Sequence, residues 1–264
     1  LVYRIFCRPG VDNVVAPAPT YGMYQVCAEV NDVEYRAVPL QAETFALDVE
    51  ALAKKVDSNT KVIWVCSPNN PSGNAYSQEE LCGILRRFPN QIVVIDEAYI
   101  DFSSVPSMTQ FLAEFDNLII LQTFSKAWGC AAMRLGIAIA SAEIIAYFNN
   151  VKYPYNVNEL TQNQAVKVLA NEKEKQRQVE EILGQRDILR DLLLSLPCVQ
   201  KVYPSDANFL LVKVADANAA YKYLQSRGIV VRNRHKVQLC QNCLRITVGT
   251  PVENAELFEA MKAL

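Results

Sequence analysis

The sequence predicts an α/β protein with a large domain on a mostly parallel sheet, residues 1–157, and a smaller C-terminal α+β domain, residues 158–264. Two observations support this fold class. Short apolar runs alternate with helical segments across residues 11–148, which is the pattern of a parallel sheet whose strands are buried on both faces. Beyond about residue 160 the chain changes to a densely charged helical segment and then to short strands with two helices, which is typical of an α+β unit.

The elements of the large domain follow from apolar runs and from the turn-forming residues between them. A short helical stretch opens the chain before Pro9 and Gly10 turn it into the first strand. Ser77 with Glu80 three residues later forms a capping box, which predicts a helix through Phe88. The predicted strands cover residues 13–19, 33–40, 61–67, 92–95, 118–123 and 134–141, and two further helices cover residues 19–30 and 48–56.

The C-terminal part opens with one long helix, because the run EKEKQRQVEEILGQRDILRDLLLSL has helical spacing and a single charged face. Gly228 is placed to close a second helix over residues 217–226. Strands at ANFLLVKV, IVVRN and LRITVG and a terminal helix complete the small domain.

Charge and hydropathy exclude some classes of partner. The 26 basic and 28 acidic residues leave a net charge of -2, which gives no electrostatic reason to expect binding to nucleic acid or to an anionic membrane. No apolar run approaches the roughly 20 residues that a membrane-spanning helix needs. The opening LVYRIFCRPG is too short and too charged for a signal peptide, so we expect a cytoplasmic protein.

The eight cysteines do not form a convincing metal or redox pattern. Cys240 and Cys243 make a single CxxC, whereas a zinc site needs two more ligands and His235 is the only histidine. A redox CxxC is expected at the start of a helix, but Cys243 leads into a strand pattern. We therefore predict no metal site.

The run LIILQTFSKAWGCAAMRLG at residues 118–136 carries the clearest chemical signal. It begins as a buried strand and continues with Thr123, Ser125 and Lys126, and Arg134 follows eight residues after the lysine. The carboxyl ends of parallel strands open into a ligand crevice, so a lysine just past such a strand is well placed for chemistry. Two hydroxyls and a guanidinium can cradle a phosphate. The run therefore predicts an amine nucleophile beside an anion site.

Two other strand ends carry polar residues that would converge on the same crevice. Asn70 follows the strand at 61–67, and Asp96 and Tyr99 follow the strand at 92–95. Taken singly, Asn70 suits a turn, Asp96 a helix cap and Tyr99 a half-buried core position. An amine, a carboxylate facing a pyridine nitrogen, a phenol, an amide and a phosphate cradle are together what pyridoxal phosphate requires. We therefore predict pyridoxal 5'-phosphate as the cofactor.

The motifs SPNNPSG, VVIDEAYIDF and TFSKAWGCAAMRLG resemble those of fold-type I aminotransferases, and among them the histidinol-phosphate aminotransferases. The resemblance covers the whole chain, including PTYGMY at residues 19–24 and VVRNRHKVQLCQNCLRITVGT near the end. It implies that Lys126 is the Schiff-base lysine and proton shuttle, that Asp96 pairs with the pyridine nitrogen, and that Asn70 and Tyr99 bind the ring hydroxyl. It further implies Tyr21 stacked on the cofactor ring, Thr123, Ser125 and Arg134 on the cofactor phosphate, and Tyr155, Arg232 and Arg245 in the substrate pocket.

The same resemblance implies a homodimer that transfers an amino group between histidinol phosphate and 2-oxoglutarate, giving imidazole acetol phosphate and glutamate, in histidine biosynthesis. Three alternatives stay open on the sequence. The first is an aminotransferase of the same fold type that acts on aromatic amino acids, and the second is a threonine-phosphate decarboxylase. The third is a folded fragment without catalytic activity.

The resemblance also suggests that the chain starts late. Family members carry a preceding segment with a substrate-pocket tyrosine, an arm that packs on the partner subunit and a Gly-rich turn that helps bind the cofactor phosphate. Leu1 corresponds to a position inside the helix that follows that turn. We expect the chain to be N-terminally truncated and to retain the cofactor weakly, and a cofactor affinity equal to that of a full-length homologue would contradict this.

Overall fold

A six-stranded sheet is the centre of the structure, a computed structural model that describes residues 1–264. Its strands are β1 (Asn13–Ala18), β2 (Glu34–Pro39), β3 (Thr60–Cys66), β4 (Ile92–Asp96), β5 (Leu118–Thr123) and β6 (Gly136–Ala140). They lie in the order β2-β1-β3-β4-β5-β6, and every neighbouring pair is parallel except the antiparallel pair β5 and β6. The predicted fold class, α/β with a mostly parallel sheet, is confirmed.

Helices cover both faces of this sheet. Successive strand residues point to opposite sides, so each face carries apolar side chains that pack into a core of their own. Val15, Ile63 and Val93 join a core of 24 buried residues with side chains from α3 and α4, and their strand neighbours Val14 and Val62 join a second core of 14 with α1, α2 and α5. The helices are α1 (Val2–Phe6), α2 (Met23–Val30), α3 (Val49–Lys55), α4 (Gln78–Arg87) and α5 (Ala142–Val151).

Helix caps fix the starts of α3 and α4, and the one at α4 is the capping box predicted from the sequence. Ser77 accepts a hydrogen bond from the N–H of Glu80, and the Glu80 carboxylate accepts one from the N–H of Ser77, which completes the predicted capping box of α4. Asp48 caps α3 through the N–H of Ala51. These bonds satisfy backbone donors that a helix start leaves without partners, and so they fix where each helix begins.

A second, antiparallel sheet forms the C-terminal part. Its strands are β7 (Val199–Val202), β8 (Phe209–Val214), β9 (Arg232–Asn233) and β10 (Cys243–Thr247), in the order β7-β8-β10-β9. One face packs against the helices in a core of 15 buried residues, and Tyr203, Leu211, Cys240 and Cys243 join the larger core under the first sheet. The helices are α6 (Glu159–Leu169), α7 (Glu172–Leu194), α8 (Ala217–Ser226) and α9 (Pro251–Met261).

Three details of this part differ from the sequence-based expectation. The charged run folds into α7 of 23 residues, as predicted, but a separate helix α6 precedes it. Strand β7 was not predicted, because its short half-exposed run QKV carries little apolar signal. The run IVVRN yields only the two-residue strand β9, because it lies at the sheet edge and only Arg232 and Asn233 pair with β10.

The predicted domain division at residues 157 and 158 stays a prediction. It falls in the segment between the end of α5 and the start of α6, and each sheet lies wholly on one side of it. No helix of the structure combines the length and the apolar character needed to cross a bilayer.

Candidate active site

A cleft of about 900 Å³ lies at the carboxyl ends of β3, β4 and β5, where the strand ends meet residues of β9 and β10. This is the crevice expected for a ligand at the carboxyl edge of a parallel sheet. The structure therefore brings together side chains that are far apart in the sequence. The predicted site residues that line it are Tyr21, Asn70, Asp96, Tyr99, Thr123, Ser125, Lys126, Arg134, Arg232 and Arg245.

Asp96 is the last residue of β4, and its carboxylate is held by two donors. The hydroxyl of Tyr24 donates to Oδ2 at 2.5 Å, and the N–H of Ala98 donates to Oδ1 at 3.1 Å. Burial raises the pKa of the Asp96 carboxyl, whereas the two hydrogen bonds and the charge of Lys126 act in the opposite direction. A cation placed against this carboxylate, such as a protonated pyridine nitrogen, would favour its ionised form.

Tyr24 is a site residue that the sequence analysis missed. Its ring is buried, stacks on Trp64 with ring centroids 4.6 Å apart, and meets Tyr21 edge-on at 5.6 Å. Packing on both sides fixes the direction in which its hydroxyl points, toward Asp96. The signal was present in PTYGMY, because Tyr24 follows Tyr21 by three residues in the turn that leads into α2, where the N–H of Tyr24 donates to the carbonyl of Tyr21 at 3.1 Å.

Lys126 lies three residues after the end of β5, with its Nζ 5.2 Å from the centroid of the Tyr99 ring. Partial burial and the positive charges of Arg245 and Arg134 lower the pKa of this amine, and Asp96 partly opposes them. A lysine whose neutral form is favoured in this way is a better nucleophile and a better general base.

Tyr99 and Asn70 connect the two walls of the cleft. Burial raises the pKa of the Tyr99 phenol to about 12, so that it remains a hydrogen-bond donor at neutral pH. Its ring packs edge-on against Phe209 of the small sheet at 5.2 Å. The Oδ1 of Asn70 accepts a hydrogen bond of 2.8 Å from Nη1 of Arg245.

The turn after β5 shapes the predicted phosphate end. Oγ1 of Thr123 accepts the N–H of Ser125 at 3.0 Å, which fixes the turn that carries Ser125 and Lys126. Arg134 has a left-handed backbone with φ of 51°, an uncommon conformation for a residue other than glycine, and its Nη1 donates to the carbonyl of Ala131 at 2.9 Å. Arg134 lines the cleft together with Thr123 and Ser125.

The opposite wall holds three arginines, of which the sequence analysis predicted two. Arg232 of β9 is directly opposite Arg245 of β10, and Arg234 lies two residues further along the same edge. Arg234 lines the cleft as well, and it was missed although alternate residues of a strand share a face. None of the three forms an ion pair with a carboxylate.

Tyr155 is the one predicted site residue that the structure does not bring to the cleft. Its side chain is 96% exposed, and it lies in the turn between α5 and α6 with a φ of 57°. The placement of Tyr155 in the substrate pocket comes from resemblance alone, and it stays a prediction.

These residues fit pyridoxal 5'-phosphate. The cleft offers a carboxylate already held by two donors, an amine with a lowered pKa, a phenol that stays protonated, and hydroxyls with a guanidinium at one end. Each of these groups has a counterpart on the cofactor, namely its ring nitrogen, its aldehyde, its ring hydroxyl and its phosphate. The fold and the site together define a pyridoxal-phosphate-dependent transferase.

Comparison with known proteins identifies the family. The family described as aminotransferase class I and II matches residues 1–262, and the chain belongs to it, which confirms the predicted membership and with it the cofactor of that family. The histidinol-phosphate aminotransferase of Parabacteroides distasonis is 56% identical over 262 residues, which are 99% of this chain and 75% of that protein. The chain thus spans about three quarters of the length of that relative.

Solved structures share the fold at low sequence identity. The histidinol-phosphate aminotransferase from Clostridium acetobutylicum gives a TM-score of 0.90 at 22% identity, over 96% of this chain and 78% of that one. That of Sinorhizobium meliloti, solved in complex with pyridoxal-5'-phosphate, gives 0.89 at 21% identity, over 99% of this chain and 72% of that one. At these identities the two structures support the fold alone.

Proposed function

We propose that the protein transfers the amino group of histidinol phosphate to 2-oxoglutarate, giving imidazole acetol phosphate and glutamate, a step of histidine biosynthesis. The observation that carries the proposal is that Lys126 and Asp96, from different strand ends, line one cleft together with Tyr99. The relative from Parabacteroides distasonis, 56% identical, bears the name of this activity. When bound, the cofactor supplies an electron sink for the substrate carbon that loses its proton.

Lys126 has two tasks in this proposal. Its amine would hold the cofactor through the cofactor's aldehyde, and the lowered pKa favours the reactive neutral form of the amine. The same nitrogen would also be the group that takes the proton from the substrate Cα and passes it on during the transfer. Nζ lies close to the Tyr99 ring and interacts with the charge of Asp96. Both contacts keep the amine in the cleft for both tasks.

The remaining large-sheet residues hold the cofactor. Asp96, oriented by Tyr24, would pair with the ring nitrogen of the cofactor and keep it protonated, which would maintain the electron-withdrawing character of the ring. Tyr99 and Asn70 bind the ring hydroxyl. Tyr21, 44% exposed at the cleft edge, is placed to stack on the ring, and Thr123, Ser125 and Arg134 bind the phosphate.

Arg232 and Arg245 bind the anionic end of the substrates. The two half-reactions present a phosphate in one substrate and a carboxylate in the other, and a planar guanidinium fork can pair with both. Arg245 is tied to Asn70 and so lies next to the cofactor site, whereas Arg232 reaches out toward solvent.

We include a homodimer and a cytoplasmic location in the proposal. Support for the dimer comes from large apolar side chains that stay exposed on and around α5 and α6, a grouping that favours a protein partner. The eight cysteines are all free thiols, which supports a reducing compartment. The exposed residues are Tyr147, Val151, Tyr153, Tyr155, Leu160, Val166 and Leu169.

The test is a visible absorption spectrum of the protein incubated with pyridoxal phosphate. We expect a band from the lysine-bound cofactor that histidinol phosphate removes and 2-oxoglutarate restores. Borohydride reduction followed by peptide mapping should place the cofactor on Lys126. If only an aromatic amino acid removes the band, the protein would be an aminotransferase for aromatic amino acids. Release of carbon dioxide from threonine phosphate would favour a threonine-phosphate decarboxylase. A colourless protein would favour the non-catalytic fragment.

A further inference from the structure

The arginine wall, defined as Arg232, Arg234 and Arg245, is arranged by strand pairing. Arg232 and Arg245 are directly opposite each other in the antiparallel pair of β9 and β10, so their side chains leave the same face. The N–H of Arg234 donates to the carbonyl of Cys243 at 2.8 Å, which extends the pairing by one step. Residues two apart on a strand share a face, and all three side chains line the cleft.

No group of the protein neutralises this wall. The three arginines form no ion pair, and the one side-chain hydrogen bond among them runs from Arg245 to the neutral amide of Asn70. The Nε atoms of Arg234 and Arg245 are buried without any hydrogen-bond partner. Burial and the neighbouring arginines lower the pKa of both guanidinium groups.

Such an arrangement is unfavourable in the empty protein and favourable around an anion. Like charges facing each other across a strand pair repel, and a buried donor without an acceptor loses its bond to water. An anion that reaches these donors removes both costs together. The wall is therefore built for a ligand that brings negative charge into the cleft.

The number of guanidinium groups bears on which anion fits. A carboxylate carries one negative charge on two oxygens, which one arginine fork satisfies. A phosphate monoester carries about −1.5 to −2 charges on three terminal oxygens. At the end of the substrate where a phosphate or one carboxylate binds, Arg245 and Arg232 already provide for either kind of group, so the third guanidinium is used only by the more highly charged group.

We propose that Arg234 is a specificity-determining residue, which makes the cleft prefer substrates with a phosphate monoester over substrates with only a carboxylate. This inference rests on the proposed function, because it concerns which of two half-reactions the residue serves. It assigns Arg234 to the phosphate-bearing amino donor. The carboxylate-bearing substrate binds through Arg232 and Arg245 without it.

The kinetic test compares the two half-reactions in the cofactor-loaded protein. In Arg234→Gln we expect kcat/KM for histidinol phosphate to fall about 10- to 100-fold, mostly through KM, as for a lost hydrogen bond to a charged group. For glutamate we expect less than about a threefold change. Arg234→Lys keeps the charge but loses the fork and should recover part of the loss. Lys236→Gln, an exposed neighbour outside the cleft, controls for the loss of one positive charge.

A second readout does not depend on turnover. Inorganic phosphate at pH 8 should raise the melting temperature of the cofactor-loaded protein more than acetate at equal ionic strength. This difference should shrink in Arg234→Gln and persist in Lys236→Gln. Equal losses in both half-reactions, or an unchanged phosphate effect, would overturn the role of Arg234. A wild-type protein without transamination would overturn the proposed function instead, and the melting data would still decide whether Arg234 binds phosphate.

Discussion

The two walls of the cleft are built on opposite principles. On the strand-end wall, which carries the lining residues that follow β3, β4 and β5, the key carboxylate already has its partners, since Asp96 accepts hydrogen bonds from Tyr24 and Ala98. On the arginine wall, the charges have no counter-charge and two buried Nε atoms have no acceptor. The carboxylate of the first wall has its hydrogen-bond partners before any ligand binds, whereas the charges of the second wall obtain theirs from the ligand.

This difference matches what each wall must do. A cofactor that stays through many reaction cycles is served by groups held in one geometry, because rigid placement lowers the cost of orienting it. Substrates that come and go, with different anionic groups, are served by guanidinium groups that have no carboxylate partner to displace. We therefore expect substitutions on the strand-end wall to affect the chemical step, and substitutions on the arginine wall to affect binding and stability.

The largest effect is expected from Lys126→Ala. The variant loses both the nucleophile and the group that moves the Cα proton, so kcat should fall about 10⁴-fold or more. Stopped-flow absorbance of the half-reaction with histidinol phosphate measures this directly. Lys54→Ala, an exposed lysine of α3, is the matched control and should keep wild-type rates. Substantial turnover in Lys126→Ala would remove this lysine from the centre of the site.

Asp96→Asn should separate activity from stability. Without the carboxylate the ring nitrogen is not kept protonated, and we expect kcat to fall about 10²- to 10³-fold. The pKa of Asp96 is raised in the folded protein, so its ionised form destabilises the fold at pH values above the ordinary carboxyl pKa. The cofactor-free variant should therefore melt higher than wild type at pH 7.

The pH dependence gives this prediction its control. At a pH well below the ordinary carboxyl pKa, wild-type Asp96 is protonated in the folded and the unfolded states alike, so the stability advantage of Asp96→Asn should vanish there. Thermal melts of both proteins across the acidic range measure the effect. A variant that melts lower than wild type at neutral pH would mean that the hydrogen bonds to Asp96 outweigh its burial.

The strand-end wall was largely predictable from the sequence, and its supporting residues were not. Buried apolar strands are strong local signals, and the parallel arrangement brings their ends together, so Asn70, Asp96 and Lys126 could be placed in one crevice before the structure was seen. The bond from Tyr24 to Asp96 spans 72 residues and depends on how α2 packs, which no local pattern encodes.

The functional importance of the arginine wall could not be predicted from the sequence. Its importance lies in missing partners, and a missing partner can be seen only when all surrounding side chains are placed. The spacing of Arg232 and Arg234 predicts a shared face, but not that both Nε groups of Arg234 and Arg245 stay unsatisfied. Tyr155 was placed in the substrate pocket by resemblance alone, and in the single chain its ring is exposed to solvent.

Tyr24→Phe tests whether the strand-end wall depends on its support. The variant keeps the ring that stacks on Trp64 and loses only the hydroxyl that donates to Asp96. Losing a hydrogen bond to a charged group should lower kcat about 10- to 100-fold. That bond lowers the pKa of Asp96. Removing it should therefore shift the acid limb of the pH profile of cofactor binding to higher pH.

The matched control for this variant is Tyr76→Phe, whose hydroxyl donates to the carbonyl of Phe45 at 3.3 Å, away from the cleft. It loses a buried phenol hydrogen bond in the same way but should leave both kcat and the acid limb unchanged. An acid limb that does not move in Tyr24→Phe would show that the hydroxyl does not control the charge of Asp96.

The smallest effect is expected from Arg232→Gln in the cofactor-free protein. Arg232 and Arg245 repel each other across the strand pair, so removing one charge should raise the free energy of unfolding by about 0.2 to 1 kcal/mol. The gain should shrink as salt is added, because the charges near the cleft mouth are screened. Urea unfolding at low and high ionic strength measures it, with Lys236→Gln as the control for net charge. A loss of stability at low salt would mean that the arginines already have partners, and the contrast between the two walls would fail.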